Sequence, residues 1–268
     1  MTILKEVDFG IYLDGGMLGE LLMPAKWVPE GKTIGDEIEA FIYFDSSDRP
    51  IATTLKPKAY VDEFAFLTCK EVNTVGGFLD WGLDKDLLVP YREQKARMLV
   101  GKQYIVFVYQ DSMSERIAAS VKVERYFSSE LHTYQAGDEV NIIIWTRTEL
   151  GFKVIIDNKY PGVIYSNEIF KQIQIGQKLK AYIAKVREDG KIDVSLEKPG
   201  YEKVDDLSQL IINKLNKNNG FMPVGDKTEA EEIYHLFGMS KKSFKKSIGT
   251  LYKQKRILIE ENGIRLIV

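Results

Sequence analysis

The sequence holds a single cysteine, Cys69, and only two histidines, His132 and His235. An internal disulfide is therefore impossible, and a Cys/His metal cluster lacks ligands. No apolar run approaches the roughly 20 residues that cross a bilayer. The opening Met1-Thr2-Ile3-Leu4-Lys5-Glu6 has no basic-then-apolar secretion plan. These absences point to the reducing cytoplasm and to no membrane partner. Also missing are a nucleophile beside its base, a glycine-rich phosphate loop and a paired-carboxylate centre; Asp84 and Asp86 read as a turn. The chain reads as a binding protein and not an enzyme, with no catalytic residue, cofactor or metal expected.

A net charge of −2 rules out a protein that is basic all over. The charge is nevertheless uneven. Residues 1–63 carry 6 basic and 12 acidic side chains, a net −6, whereas residues 200–268 carry 12 and 9, a net +3. The two ends are not expected to share one partner surface.

What the sequence does have is a threefold repeat. Gly10, Gly76 and Gly151 each follow an apolar residue, Phe9, Val75 and Leu150. Twenty-five residues later stand Gly35, Gly101 and Gly176, and 19 further on come Thr54, Ser120 and Ser195. Apolar residues alternate in 38–44, 104–109 and 179–184, as in half-buried strands. Turn residues separate the runs, as in Asp14-Gly15-Gly16, 45–48 and Asp189-Gly190. About five short strands in about 70 residues, with glycine where a strand must bend, predict a small barrel of the OB type.

Asp8-Phe9-Gly10-Ile11-Tyr12-Leu13-Asp14 and Val75-Gly76-Gly77-Phe78-Leu79-Asp80 resemble the second strand of S1 RNA-binding domains. Segments ending at Pro24, Pro90 and Tyr165, each 14 residues after the first glycine, are similar to that family's Gly-Leu-Val-His segment. The resemblance covers about residues 4–197. The departures are Pro24 and Pro90 in place of His, Val75 in place of an aromatic, and Leu150 and Lys153 where the third unit would carry two aromatics. The acidic first unit is a candidate spacer.

After Pro199-Gly200, Leu207, Leu210, Ile211 and Leu215 recur at helical spacing, ending at Asn218-Asn219-Gly220. A second helix is expected from Glu229 to Phe237, capped by Asp226 or Thr228 and stopped by Gly238. A third runs from a Ser240 cap to about Lys253. A hairpin follows, its turn formed by Asn262-Gly263 at positive φ. That order is a winged helix. Phe244, Ile248 and Leu251 face inward, while Lys242, Lys245, Lys246 and Lys253 share another face with Lys241 beside it. From Ser240 to Arg256 there are seven basic residues and no acidic one. Such a face is either simply solvated or a phosphate-backbone footprint; beside a hairpin the second is favoured.

Three S1-like barrels and a winged helix are similar in arrangement to the conserved virulence factor B family of bacterial RNA-binding proteins. The local matches are Gly220-Phe221-Met222 and 237–246. The expected fold is mainly β: three tandem S1/OB-fold barrels at 1–60, 61–131 and 132–198, then an α+β winged helix at 199–268. The resemblance implies single-stranded RNA as partner and a post-transcriptional, virulence-regulating role. Phe9, Tyr12, Phe78 and Tyr165 are the candidate base-stacking rings, and Arg116, Lys153 and Lys191 the phosphate partners beside them. Lys241, Lys242, Lys245, Lys246 and Lys253 are the helical contacts. Tyr43, Tyr104, Phe107 and Tyr182 are assigned to the core, Trp145 to a half-buried place, and Trp81 is a further candidate for stacking. Two alternatives stand beside this reading: a duplex-DNA-binding regulator acting through the winged helix, and a protein-interaction scaffold. Oligomeric state has no signature in the sequence.

Overall fold

The computed structural model describes residues 1–45, 47, 49–169, 172–197 and 202–267, with the side chains of Asn167 and residues 202–206 left aside. The Pro199-Gly200 linker lies outside the described residues. Two compact units, Met1–Phe127 and Ser128–Val268, make up the chain.

The first unit holds two five-stranded sheets of one topology. In the first, β1 (Ile3–Val7), β2 (Gly10–Asp14), β3 (Glu20–Pro24), β4 (Phe41–Phe44) and β5 (Pro50–Thr53) lie in the order β1-β2-β3-β5-β4. In the second, β6 (Phe64–Val72), β7 (Gly76–Asp80), β8 (Leu87–Pro90), β9 (Gln103–Gln110) and β10 (Ile117–Ser120) lie in the order β10-β9-β6-β7-β8, with β8 and β10 packed together. In the second unit, β11 (Glu139–Thr148), β12 (Gly151–Ile156), β13 (Tyr160–Tyr165), β14 (Lys178–Val186) and β15 (Ile192–Ser195) form a closed barrel.

The repeat spacing has a direct structural meaning. Fourteen residues is the hairpin register: Gly10 pairs with Pro24, Gly76 with Pro90 and Gly151 with Tyr165. A Cβ at these glycines would lie 2.1, 2.3 and 2.0 Å from the carbonyl oxygens of Met23, Val89 and Ile164, so no larger residue fits. The second glycine closes a tight turn into β9 and β14, and in the first barrel the turn ahead of residue 37; Gly35, Gly101 and Gly176 have φ of 92°, 79° and 84°. The third position shifts by one in the first barrel. Ser120 and Ser195 accept a hydrogen bond from the N–H two residues on, but in the first barrel Thr53, not Thr54, does so.

One strand is shorter than expected. Alternation predicts a strand over 38–44, yet β4 begins at Phe41. β1 has five residues where β6 has nine, so the ladder that β6 forms with β9 reduces to one bridge, Thr2 to Glu37.

Alternate residues fill each interior. Leu13, Leu21, Met23 and Ala52 are fully buried in the first barrel, and Ile144, Val154, Ile164 and Val194 in the third. Each such branched side chain contributes roughly 1.5–3 kcal/mol. The core of the second barrel is shared, because Tyr43 and Ala59 are buried in it beside Trp81 and Leu83. Residues 123–126 form a short turn of helix whose Tyr126 stacks on Phe107 with centroids 4.2 Å apart.

The winged helix comprises α1 (Glu202–Lys217), β16 (Phe221–Met222), α2 (Ala230–Phe237), α3 (Lys241–Lys253), β17 (Ile257–Glu260) and β18 (Gly263–Leu266). Ile211, Ile212 and Leu215 of α1 pack on Phe244, Ile248 and Leu251 of α3; Leu210 is partly exposed instead. The Ser240 hydroxyl caps α3 by accepting the Ser243 N–H at 2.9 Å. Neither Asp226 nor Thr228 caps α2: its N-cap is Glu229 without a side-chain bond, and the Thr228 hydroxyl accepts the Gly225 N–H. The hairpin turn also differs. It is formed by Glu261-Asn262, and neither Asn262 nor Gly263 has a positive φ. Gly263 instead belongs to β18, where a Cβ would lie 2.3 Å from the Met222 carbonyl oxygen.

Candidate nucleic-acid interface

Three repeat positions build one outward strip on each barrel. The residue before the first glycine is exposed every time: Phe9, Val75 and Leu150, at 59%, 55% and 66%. The residue two places after it, Tyr12, Phe78 or Lys153, faces outward because its neighbour Leu13, Leu79 or Val154 is fully buried. The cross-strand partner of the glycine, Pro24, Pro90 or Tyr165, is half-buried beside them. Four of these nine residues are aromatic.

Cations stand near each strip. The Lys5 ammonium lies 4.4 Å from the Tyr12 ring centroid. Phe78 and Arg116 line one groove of about 470 Å³, with Val75, Leu88, Pro90 and Arg92. Arg92 is held there by Asp111 at 2.7 Å. The Asp111 carboxyl lies below its usual range, chiefly because it accepts the Ser114 N–H. On the third barrel the Lys153 ammonium lies 5.3 Å from the Trp145 ring centroid. Tyr165 accepts a hydrogen bond from Arg187, whose guanidinium sits 5.8 Å from the ring centroid and is anchored on Asp193 at 2.6 Å. Lys191 is exposed and paired with Asp189 at 2.7 Å.

The second unit also holds a cleft of about 930 Å³. Lys241, Lys242, Lys245 and His235 line it from the winged helix, and Ser166, Ile169 and Gln172 from the third barrel. Lys242 and Lys245 are exposed, and the Lys242 ammonium is 3.9 Å from Glu168. Lys246 and Lys253 are exposed on α3 but do not line the cleft. The first turn of α3 carries two lysines and no acid. That sign opposes the helix dipole, so stability alone does not favour it.

Two ring assignments change. Trp81 is only 3% exposed and donates its indole N–H to the Lys85 carbonyl at 2.6 Å, so it packs the core and offers no stacking face. Tyr182 is not a core residue: it is half-exposed on β14, where its hydroxyl donates to Glu139. Tyr43 and Phe107 are buried, Tyr104 half-buried, and Trp145 is 9% exposed. Lys5, Arg92, Arg187 and His235 are absent from the sequence expectation. For Arg187 a signal existed, since it opens the turn at Asp189-Gly190 that Lys191 closes.

An S1 domain family model matches residues 1–55 and 63–122, and a CvfB-like winged helix domain model matches 209–266. Among curated proteins, the chain is 28% identical to Conserved virulence factor B of Staphylococcus epidermidis, over 87% of this chain and 80% of that one. The chain is thus similar to the conserved virulence factor B proteins over most of its length. Another relative in that set is the Bacillus subtilis protein YitL, 27% identical over 98% of this chain and 90% of its own. A Streptococcus pneumoniae crystal structure, described as a multidomain protein with nucleic acid binding domains, is 26% identical over 99% of this chain and 96% of that one, with a TM-score of 0.42. The domain families of this conserved virulence factor B relative are nucleic-acid-binding ones, not enzymatic ones, and they point to nucleic-acid binding. Among the described residues, no helix is long and apolar enough to cross a membrane.

Proposed function

We propose that this protein binds single-stranded RNA, laying bases on the outer strips of its barrels and phosphates along the cleft lysines, and so controls transcripts after they are made. One observation carries the reading: Lys241, Lys242 and Lys245 open onto the same cleft as Ser166 and Gln172 of a barrel. A single strand passing from a barrel face to a helix would meet flat rings and then clustered cations, the combination that single-strand binders use. The outward Phe9, Tyr12 and Phe78 support it, because an exposed ring leaves apolar surface in water that a stacked base would cover. The regulatory part of the reading rests on the resemblance to the conserved virulence factor B proteins alone.

Filter binding tests it. Pyrimidine-rich single-stranded RNA is expected to bind more tightly than duplex DNA, with affinity falling as salt rises. Equal or tighter binding to duplex DNA would replace this reading with that of a transcription regulator. No binding to either at low salt would leave an interaction scaffold.

A further inference from the structure

The winged-helix sheet has the order β16-β18-β17, so β17 is its edge. The phase of that edge follows from its neighbours. The Ile267 N–H donates to the Arg256 carbonyl at 3.0 Å, while the Leu266 N–H donates the other way, to the Gly220 carbonyl at 2.7 Å. Main-chain groups alternate along an antiparallel strand, so residues 256, 258 and 260 bond inward to β18. Ile257 and Ile259 therefore aim their N–H and C=O groups at the open side. Leu258 and Ile259 are 45% and 42% exposed. Within Ile257–Glu260 there is no lysine and no proline, the usual guards of an exposed edge.

The charges around this edge are self-complementary. Lys255 and Arg256 precede β17; Glu260 ends it and Glu261 follows. Lay two copies antiparallel with Leu258 opposite Leu258. Ile257 then faces Ile259, Arg256 faces Glu260, and Lys255 faces Glu261. This register also sets the open main-chain groups of Ile257 against those of Ile259, giving about four hydrogen bonds. A one-residue slip would turn every side chain to the wrong face, and a two-residue slip would set Arg256 against Leu258. We infer that β17 pairs with β17 of a second copy of this chain, antiparallel about Leu258. Within each copy Glu260 holds Arg265 at 2.7 Å from the β18 side; Arg256 of the second copy approaches it from the other side. So short a pairing buries less than a standard interface, and the dimer forms at micromolar to millimolar concentration. The inference does not depend on RNA binding.

A cysteine at the twofold reads the register directly. Opposed non-hydrogen-bonded residues have Cα atoms about 4.5 Å apart, within disulfide reach of about 4.4–6.8 Å. The one native thiol, Cys69, is 1% exposed and gives no background. Mild oxidation of Leu258→Cys is expected to give a disulfide-linked dimer, whereas Leu210→Cys, exposed on α1, stays monomeric. Adding Ile259→Pro, which removes an open-side N–H, is expected to slow cross-linking about tenfold with the melting temperature little changed. Should that variant unfold, the charges decide. Arg256→Glu in the Leu258→Cys background slows cross-linking, and Arg256→Glu with Glu260→Arg restores it. Equal cross-linking at positions 210 and 258, none at about 1 mM chain, or indifference to both the proline and the charge reversal would overturn the pairing.

Discussion

Gly151 lies so close under the carbonyl oxygen of Ile164 that a Cβ on it would approach to 2.0 Å. The obstructing atom is backbone in a paired strand, so nothing nearby can swing aside. The same contact recurs at Gly10 with Met23 and at Gly76 with Val89.

Alanine at Gly10, Gly76 or Gly151 is therefore expected to cost about 3 kcal/mol or more, or to prevent folding. Alanine at Gly35 meets no atom within 4 Å and suffers only from its φ of 92°, an expected loss of about 1–2 kcal/mol. Urea unfolding midpoints compare them. Equal losses at Gly35 and Gly10 would contradict the close-contact explanation.

Lys241, Lys242 and Lys245 changed together to Ala should weaken RNA binding for all sequences alike. Three lost phosphate contacts lower the slope of log affinity against log salt by about 2. A salt titration of the triple variant measures this, and an unchanged slope removes the cleft from the binding track.

Phe78 and Trp81 separate binding from folding. Phe78→Ala is expected to weaken RNA binding by about 1–3 kcal/mol with little loss of stability. Trp81→Ala opens the core shared with Tyr43 and Ala59, an expected loss of about 3–5 kcal/mol of stability. Binding and melting measured on both variants should cross over. If Phe78→Ala proves the less stable of the two, its ring is a packing group.

Acid should loosen the first unit only as pH falls into and below the ordinary carboxylate range. The Lys58 ammonium holds the Asp80 carboxyl low, and the Thr33 N–H does the same for Asp36. Depressed folded values contribute stability that is complete above the unfolded value, about 3.9, and is lost as pH falls through the folded values. Unfolding midpoints should be level from pH 7 to about 5 as far as these carboxylates go, then decline below about 4. Asp80→Asn should lose less than the parent over that decline.

The barrels were legible because their constraints are local. A hairpin register fixes the 14-residue interval between Gly151 and Tyr165, and backbone contact forces glycine at one end of it. The face of Phe244, Ile248 and Leu251 was legible for the same reason, as helical spacing sets it. Trp81 and Tyr182 differ from the sequence expectation because a ring's burial depends on what arrives from elsewhere: Tyr43 and Ala59 pack beside the first, whereas the second lies on the outer side of β14, only partly covered. The cleft was not legible, since Ser166 and Gln172 stand about 70 residues from Lys241 and share no pattern with it. The hairpin turn was misread because Asn-Gly signals a tight turn only when the register agrees, and here Gly263 was needed for the Met222 carbonyl.

Tyr43 and Phe41 belong to the acidic first barrel, yet they pack in and against the interior of the second. A mutation that abolished every nucleotide contact of the first barrel would leave this buttress in place, whereas deleting the barrel would strip a wall from its neighbour. Selection can therefore let the first barrel's surface drift while still preserving its sheet.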